Sequence, residues 1–590
     1  MASGSSANLK RHLRLKHPMV PIEKADKDDD SNTKSEPVSS SLIKSNASAS
    51  LPKSTTNVVD CTKSDSKPSQ NLLTNYVDVV KPLPIQKQRS IDLQVLKMIC
   101  KEYHPLSLVE DAEFRKLVKM LCPSYTLPSR KTLTYSLMPT VYENLHATVK
   151  SNLQDAPAVS LTCDGWTSIN NQGFYAITAH FFDKSNQLMS HLLECSEFKE
   201  RHTGENIASW IMRVLKLFCI DSKVAAIVTD NAANMKSAAS ILKMNHLPCF
   251  AHTLNLLVQN AIASSIQGTV DKVKHIVQYF KKSSFALEKL HDMQGKLNEN
   301  LLKLKQDVPT RWNSTYDMLD RVLRNKNSVV STLALLNIKL ALNVDDWKII
   351  EGSVEVLKVF YEVTVEISAE LNVSLSKSVV LTQIMEQRVQ KFVSAENFPP
   401  EVTMLSNNLK DGLNKRFESR CKNELVSQAV ILDPRFKKQG FCNENQYKSA
   451  HQSLLNQINV QQCDVQRVED CSEEICIKEP AQSSSLWEEF DESVSKILSK
   501  ESPATTFSIE LDKYMAEPIL PRCNDPLIWW GERKCIYPNL YTIMQKRLCI
   551  PGTSVPCERI FSKTGQICSE RRSRLTAKNI SKIVFINHNL

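Results

Sequence analysis

The sequence predicts an α/β unit joined to a long all-helical stretch, and three observations carry that expectation. Between residues 158 and 250, short runs rich in β-branched and aromatic residues alternate with helical repeats. From about 270 to 505 the pattern is almost entirely helical, broken by polar loops such as "VQQCDVQRVEDCSEEICIKEPAQSSS". Glycine occurs only 12 times in 590 residues, far below the usual share of about 7%. That scarcity argues against a mostly β protein rich in tight turns and against Gly-rich nucleotide loops.

In chain order, residues 19 to 90 are poor in aromatics and rich in Ser, Lys, Asp, Asn and Pro. Such a stretch buries too little apolar surface to offset chain entropy and reads as a disordered linker. Residues 91–152 turn helical, with Ile91, Val95 and Met98 near one face and "DAEFRKLVKML" repeating the trend. "AVSLTCD", "GFYAITAHFFD" and "LMSHLLECSEF" then read as three antiparallel strands, separated by the turn-like "TSINNQ" and "DKSNQ". The next helix, "TGENIASWIMRVLKLFCI", has Thr203 as N-cap and Ile207, Trp210, Ile211, Val214, Leu215 and Phe218 on one face. "KVAAIVTDNAANM" is a buried strand ending in Asp230, followed by the helix "AANMKSAASIL", the short strand "LPCF" and the helix "AHTLNLLVQNAI". The last stretch, 506–590, is aromatic and apolar, with Trp529, Trp530, Tyr537, Leu540 and Tyr541 clustered.

The formal net charge is +10, a mild excess compatible with an anionic partner. The 17 cysteines are scattered, as isolated buried thiols rather than a disulfide framework. The opening "MASGSSANLKRHLRLKHP" lacks the apolar centre of a signal peptide. No apolar run of about 18 residues predicts a membrane span. A reduced compartment, cytosol or nucleus, is the expectation.

Two carboxylates share one context: Asp164 and Asp230 each follow a strand-like apolar run. A strand end is rigid and can aim a carboxylate into a shared site. Hard oxygen ligands select Mg²⁺ or Mn²⁺, and paired ions about 4 Å apart assist phosphoryl transfer. Aspartates at strand ends also close turns, and spacing alone leaves both readings open.

"LTCDGWTSINNQGFYAITAHFFD", "IVTDNAANM", "LPCFAHTLNLLVQ", "PTRWNSTYDML", "ILDPRFK" and "SVPCERIFSKTGQICSERRSRL" follow one another in the chain. Together they resemble the hAT transposase superfamily, in its branch with BED-type zinc fingers, over roughly residues 90–590. The resemblance implies an RNase H-like mixed sheet, residues 155–270, interrupted by a helical insertion domain, 271–505. It further implies a helical DNA-binding domain at 91–152 and a C-terminal dimerisation region at 506–590. An Asp-Asp-Glu triad is implied at Asp164, Asp230 and Glu558, holding Mg²⁺ or Mn²⁺. Glu558 lies 328 residues after Asp230, a gap suited to an inserted domain. Read locally, "GTSVPCERIF" starts a helix with Pro556 in its first turn, where a carboxylate meets the positive dipole end.

By the same resemblance, Cys249 and His252 match a Cys-x-x-His motif, with His252 near DNA. One Cys and one His are too few for a closed zinc site, and packing at a strand–helix junction also explains Cys249. Trp312 matches a position that stacks on a flipped base, although Trp312, Tyr316, Leu319 and Leu323 share one helical face, a core arrangement. Arg311 either contacts phosphate or caps a helix. Arg571, Arg572, Arg574 and Lys578 form a basic run, a solvated face or a phosphate-facing one.

The N-terminal "SANLKRHLRLKHP" resembles the last helix of a BED finger over residues 1–18. His12 and His17 give an incomplete zinc half-site, since the first cysteine is Cys61. Zn²⁺ is expected only if a complete finger exists upstream. Lys10, Arg11, Arg14 and Lys16 are left to touch phosphate nonspecifically. The expected partners are double-stranded DNA and a second copy of the chain, as a homodimer or higher homo-oligomer, in the nucleus and away from membranes. Two functions stand: a transposase cutting and joining DNA with two metal ions, or a domesticated, catalytically silent dimeric DNA-binding regulator. A protein-interacting scaffold is a third and weaker expectation.

Overall fold

The computed structural model describes residues 82–168, 171–369, 371–469, 503–567 and 575–590. The BED-like remnant with His12 and His17, most of the 19–90 linker, and Arg571, Arg572 and Arg574 lie outside the described residues.

Helix α1 (Ile85–Lys101) begins inside the stretch expected to be a linker, and buries Val95, Leu96, Ile99 and Cys100. The buried stripe is thus shifted from the predicted one, because Ile91 and Met98 lie at its half-buried margins. Asp111 caps α2 (Ala112–Leu121) by accepting from the Phe114 N–H at 2.9 Å. No residue of α2 is buried, despite its apolar periodicity. A π-turn over Leu133–Leu137 leads into α3 (Met138–Asp155).

Three antiparallel strands follow as predicted: β1 (Val159–Thr167), β2 (Gly173–Phe182) and β3 (Leu188–Glu197). The β2–β3 turn depends on Asn186, whose φ of 60° suits asparagine better than most residues. Asp183 Oδ1 accepts from the N–H groups of Ser185 and Gln187 to close it. Helix α4 (Gly204–Phe218) is capped by Thr203 and buries all six predicted face residues. Then come β4 (Val224–Thr229), α5 (Ala233–Ile241) and β5 (His246–Pro248). The predicted strand "LPCF" ends early: Cys249 is already the N-cap of α6 (Phe250–Ser265) and Phe250 its first residue. The sheet order is β3-β2-β1-β4-β5, with β4 and β5 parallel to β1.

The helical stretch runs α7 (Gln267–Lys282), α8 (Ser284–Lys296), α9 (Trp312–Arg324), α10 (Lys326–Leu335), α11 (Val344–Ile367), α12 (Lys377–Val393) and α13 (Pro400–Cys421). Its core reaches from Phe250 to Phe417, so it takes in α6. After Cys421 come α14 (Glu424–Leu432), α15 (Glu444–Glu469), α16 (Pro503–Ala516), α17 (Pro526–Arg533) and α18 (Pro538–Leu548). Residues of these helices pack on the sheet instead, where Leu432, Tyr514, Trp530 and Leu540 share a cluster with Phe182, Val228 and Leu247. The helices of 271–505 therefore divide between two cores, since helical period does not reveal which core a helix joins. The C-terminal aromatics pack inward: Trp530 Nε1 donates to the Leu432 carbonyl at 2.9 Å. The chain closes with α19 (Val555–Ile567) and α20 (Ala577–Asn589). Helices α1, α3 and α20 share one core with the sheet, so residues 91–152 are not a separate body.

Arg420, at the end of α13, ties these parts together. Its Nη1 donates to the Pro248 carbonyl at 2.6 Å, Nη2 to the Gly552 carbonyl at 3.1 Å and Nε to Ser378 Oγ at 3.2 Å. The guanidinium also lies over the Phe250 ring at 5.4 Å. Burial pushes its pKa down to about 10. Arg420→Met removes three buried hydrogen bonds and should cost about 2–4 kcal/mol, measured by chemical denaturation.

Candidate active site at the sheet edge

Strands β1 and β4 run parallel, with Thr162 opposite Val228. Asp164 lies two residues further along β1, and Asp230 directly follows β4, near enough for its charge to act on Asp164. Each is half-buried. Asp164 Oδ1 accepts from the Gly165 N–H at 2.8 Å, and Asp230 Oδ1 from the Ala232 N–H at 3.2 Å. Asp230 thus closes the turn after β4, whereas the Asp164 bond lies within β1.

Gly165 is required by a close approach. A Cβ there would stand 2.9 Å from Tyr175 Cε1. Tyr175 itself is pushed up to about 12, chiefly by burial and then by the nearby Cys163, Asp230 and Asp164. Sequence patterning had assigned Tyr175 only to a strand.

Glu558 arrives on α19, in its first turn with Pro556, as the local pattern predicted. Cys557 docks that helix on the sheet. Its thiol donates to the Thr162 carbonyl at 3.4 Å and lies 3.1 Å from Thr162 Oγ1. Phe561 stacks on Trp166, with centroids 6.0 Å apart and planes at 17°. The segment before α19 is held by α6: the Phe250 N–H donates to the Gly552 carbonyl at 3.1 Å, and the Ser554 N–H to Cys249 Sγ at 3.2 Å. Cys249 thus acts as a buried helix cap and clamp. His252 sits half-buried in the first turn of α6, its N–H bonded to the same sulfur at 3.4 Å.

Asp164, Glu558 and Arg311 line one open cavity of about 360 Å³ with Trp166, Phe561 and Ser562. Asp230 and His252 are outside its lining, although the charge of Asp230 acts on Asp164. Arg311 occupies the N-cap position of α9 but makes no side-chain cap bond. Its guanidinium instead reaches to 4.0 Å from Glu558 Oε2. The loop carrying it is pinned by α6: Gln259 Nε2 donates to the Pro309 carbonyl at 2.8 Å, and Asn255 Oδ1 accepts from the Trp312 N–H at 3.0 Å.

Trp312 is corrected by the structure. It is 1% exposed, in the helical core with Tyr316 and Leu319. No indole face is presented to solvent, and its buried Nε1 lacks a hydrogen-bond partner. The periodic reading of the residue prevails here, because burying an indole is strongly favourable.

The carboxyl of Asp164 is pushed up to about 7, first by burial, then by the negative charge of Asp230 and more weakly by that of Glu558. The three acids therefore share one electrostatic environment. All are hard oxygen donors, the chemistry that suits a small divalent cation. Among the described residues, however, no group of three or more Asp, Glu, His or Cys stands close enough to hold a metal ion as it is. The donor set fits Mg²⁺ or Mn²⁺, and chelation would require the carboxylates to draw together.

A mixed sheet with acids at adjacent parallel strand ends, a helical insert, and a late helix returning a glutamate define an RNase-like protein. Three family models match in the same order. They are the ZBED1 RNase-like domain over residues 162–252, the ZBED1 RNase-like helical domain over 247–356, and the hAT family C-terminal dimerisation region over 510–590. The chain is 26% identical over 523 residues to Zinc finger BED domain-containing protein 4 of Homo sapiens, covering 86% of this chain and 44% of that protein. It is 26% identical over 552 residues to Putative AC transposase of Zea mays, covering 86% and 66%. It is 23% identical over 530 residues to Putative transcriptional regulator tpeD of Talaromyces stipitatus, covering 81% and 59%. The chain thus spans between 44% and 66% of the length of these relatives. It is thus similar to hAT-family proteins, with BED-type proteins among the relatives it resembles.

Two outcomes test this site. The folded state holds the Asp164 proton more tightly than the unfolded chain does. Stability therefore falls as pH rises from about 4 through about 7, and the full cost stands above that window. Asp164→Asn should raise the thermal midpoint more at pH 8 than at pH 5. Trp312→Ala should cost about 3–5 kcal/mol in chemical denaturation, the signature of a core side chain.

Proposed function

We propose that this protein is a hAT-type DNA transposase or a DNA-binding protein derived from one, acting on double-stranded DNA in the nucleus. The observation that supports this reading is that Asp164 and Glu558 line one cavity, with the charges of Asp230 and Glu558 both acting on Asp164. Asp164, Asp230 and Glu558 would hold Mg²⁺ or Mn²⁺, which when bound supplies an activated water or 3′-hydroxyl and stabilises the leaving oxygen. The chain's own residues do the rest. Arg311, 68% exposed at the cavity mouth, orients a phosphate and offsets its charge. Arg571, Arg572 and Arg574 add sequence-independent phosphate contacts, and His252 approaches the same DNA. With an apparent pKa of about 7, Asp164 is partly protonated at neutral pH; a cation would favour its charged form. The region 510–590 supports self-association as a homodimer or higher homo-oligomer, which brings two sites to two DNA ends. Any zinc belongs to a complete BED finger.

A domesticated, catalytically silent regulator is the second reading. The ungathered carboxylates and the buried Trp312 favour it, as does a relative named as a putative transcriptional regulator. Purified protein, Mn²⁺ and DNA bearing candidate terminal inverted repeats separate the two. Metal-dependent nicking, reduced at least about a hundredfold in Asp230→Asn, is expected of the enzyme. Binding of that DNA without nicking in either protein overturns the enzymatic reading and leaves the regulator.

A further inference from the structure

The loop that brings Arg311 to the acidic cavity is held by two neutral amides on one face of α6. Asn255 and Gln259 stand four residues apart on that helix and are neighbours on its surface. Asn255 Oδ1 accepts from the Trp312 N–H at 3.0 Å, and Asn255 Nδ2 donates to the Thr310 carbonyl at 3.3 Å. These two backbone groups flank Arg311. An asparagine amide offers an acceptor and a donor in one plane, so a single side chain bridges Arg311 as a neighbouring strand would. Gln259 Nε2 adds a bond to the Pro309 carbonyl at 2.8 Å, and its Oε1 accepts from Asn255 Nδ2 at 3.5 Å, which orients that amide.

The backbone of Arg311 matches this bridge. Its φ of −133° and ψ of 107° are extended, the geometry in which the preceding carbonyl and the following N–H face the same way. The other side of the loop is fixed as well. Asp307 is buried, accepts from Ser314 Oγ at 2.8 Å and Thr315 Oγ1 at 2.7 Å, and pairs with Lys274 at 2.9 Å. Trp312 is sunk in the helical core. With its neighbours pinned, Arg311 keeps one Cα–Cβ direction, and only its own side-chain torsions remain free. That direction carries the guanidinium to 4.0 Å from Glu558 Oε2.

We propose that Asn255 is a positioning residue for Arg311: its two-point clamp, braced by Gln259, aims the guanidinium at the acidic cavity. That Arg311 receives a DNA phosphate there rests on the function proposed above; the aim of its side chain does not. Such preorganisation matters because a phosphate-binding group displaced by about 1 Å loses much of its effect. Asn255 and Gln259 act only through Arg311.

The test uses the full chain, a short DNA duplex, and the variants Arg311→Gln, Asn255→Leu, Gln259→Leu and Arg311→Gln combined with Asn255→Leu. Binding is read by fluorescence anisotropy across a salt series. Arg311→Gln should lower the salt slope by about one, the loss of one phosphate contact. Asn255→Leu should lower it as far, and Gln259→Leu should move it in the same direction. On the Arg311→Gln background, Asn255→Leu should add no further loss. A side chain that merely supports the fold weakens binding on both backgrounds, and that additive result overturns the proposal. A second readout needs no DNA. Phenylglyoxal attacks the neutral guanidine, and the facing Glu558 carboxylate keeps Arg311 protonated. Arg311 should therefore react at least about threefold faster in Asn255→Leu, read by mass spectrometry. Unchanged reactivity also overturns the proposal. Absence of duplex binding, or a salt slope untouched by Arg311→Gln, overturns the phosphate role of Arg311 instead, and the phenylglyoxal rate then decides the clamp by itself.

Discussion

The Gly552 carbonyl is the point on which the site's construction depends. It accepts from the Phe250 N–H at the start of α6 and from the buried Arg420 guanidinium. The Gly552 N–H in turn donates to Ser374 Oγ at 2.9 Å. A segment that returns to the sheet after 328 residues has a large entropic freedom to lose. Arg420 offsets it by joining β5, α12 and the returning chain through one planar fork of donors. Buried cations are costly unless fully bonded, and here carbonyls, a hydroxyl and an aromatic face satisfy the guanidinium together.

From that anchor the rest follows by short steps. Cys249 accepts from Ser554, which fixes the start of α19. Cys557, one residue before Glu558, plugs onto the sheet at Thr162. Glu558 then faces Asp164, while Arg311, held by Asn255 and Gln259, leans over both.

Much of this was legible in the chain. The three antiparallel strands, the Thr203 cap and the apolar stripe of α4 came from alternation and helical period. Burial in the structure follows the same rules. The two aspartates stood out because each ends an apolar run, and parallel register makes that shared context meaningful. Other features left no local trace. Arg420 sits in an ordinary amphipathic helix, and Cys249 and Cys557 resemble any isolated thiol. Their roles come from partners more than 100 residues away. Trp312 shows the limit from the other side: its period indicated a core position and its motif a stacking one, and packing in this conformation follows the period.

By itself the sequence determined element types, the strand ends that carry Asp164 and Asp230, and the helix start that carries Glu558. These rest on local physics: side-chain period, capping and turn chemistry act over a few residues. Tertiary structure alone decided which core each helix joins, how far the insertion extends, and that Asp164 is pushed up to about 7. Those depend on charges and surfaces brought together by long loop closures. No short window of sequence encodes the distance between two groups that meet only after the chain has folded.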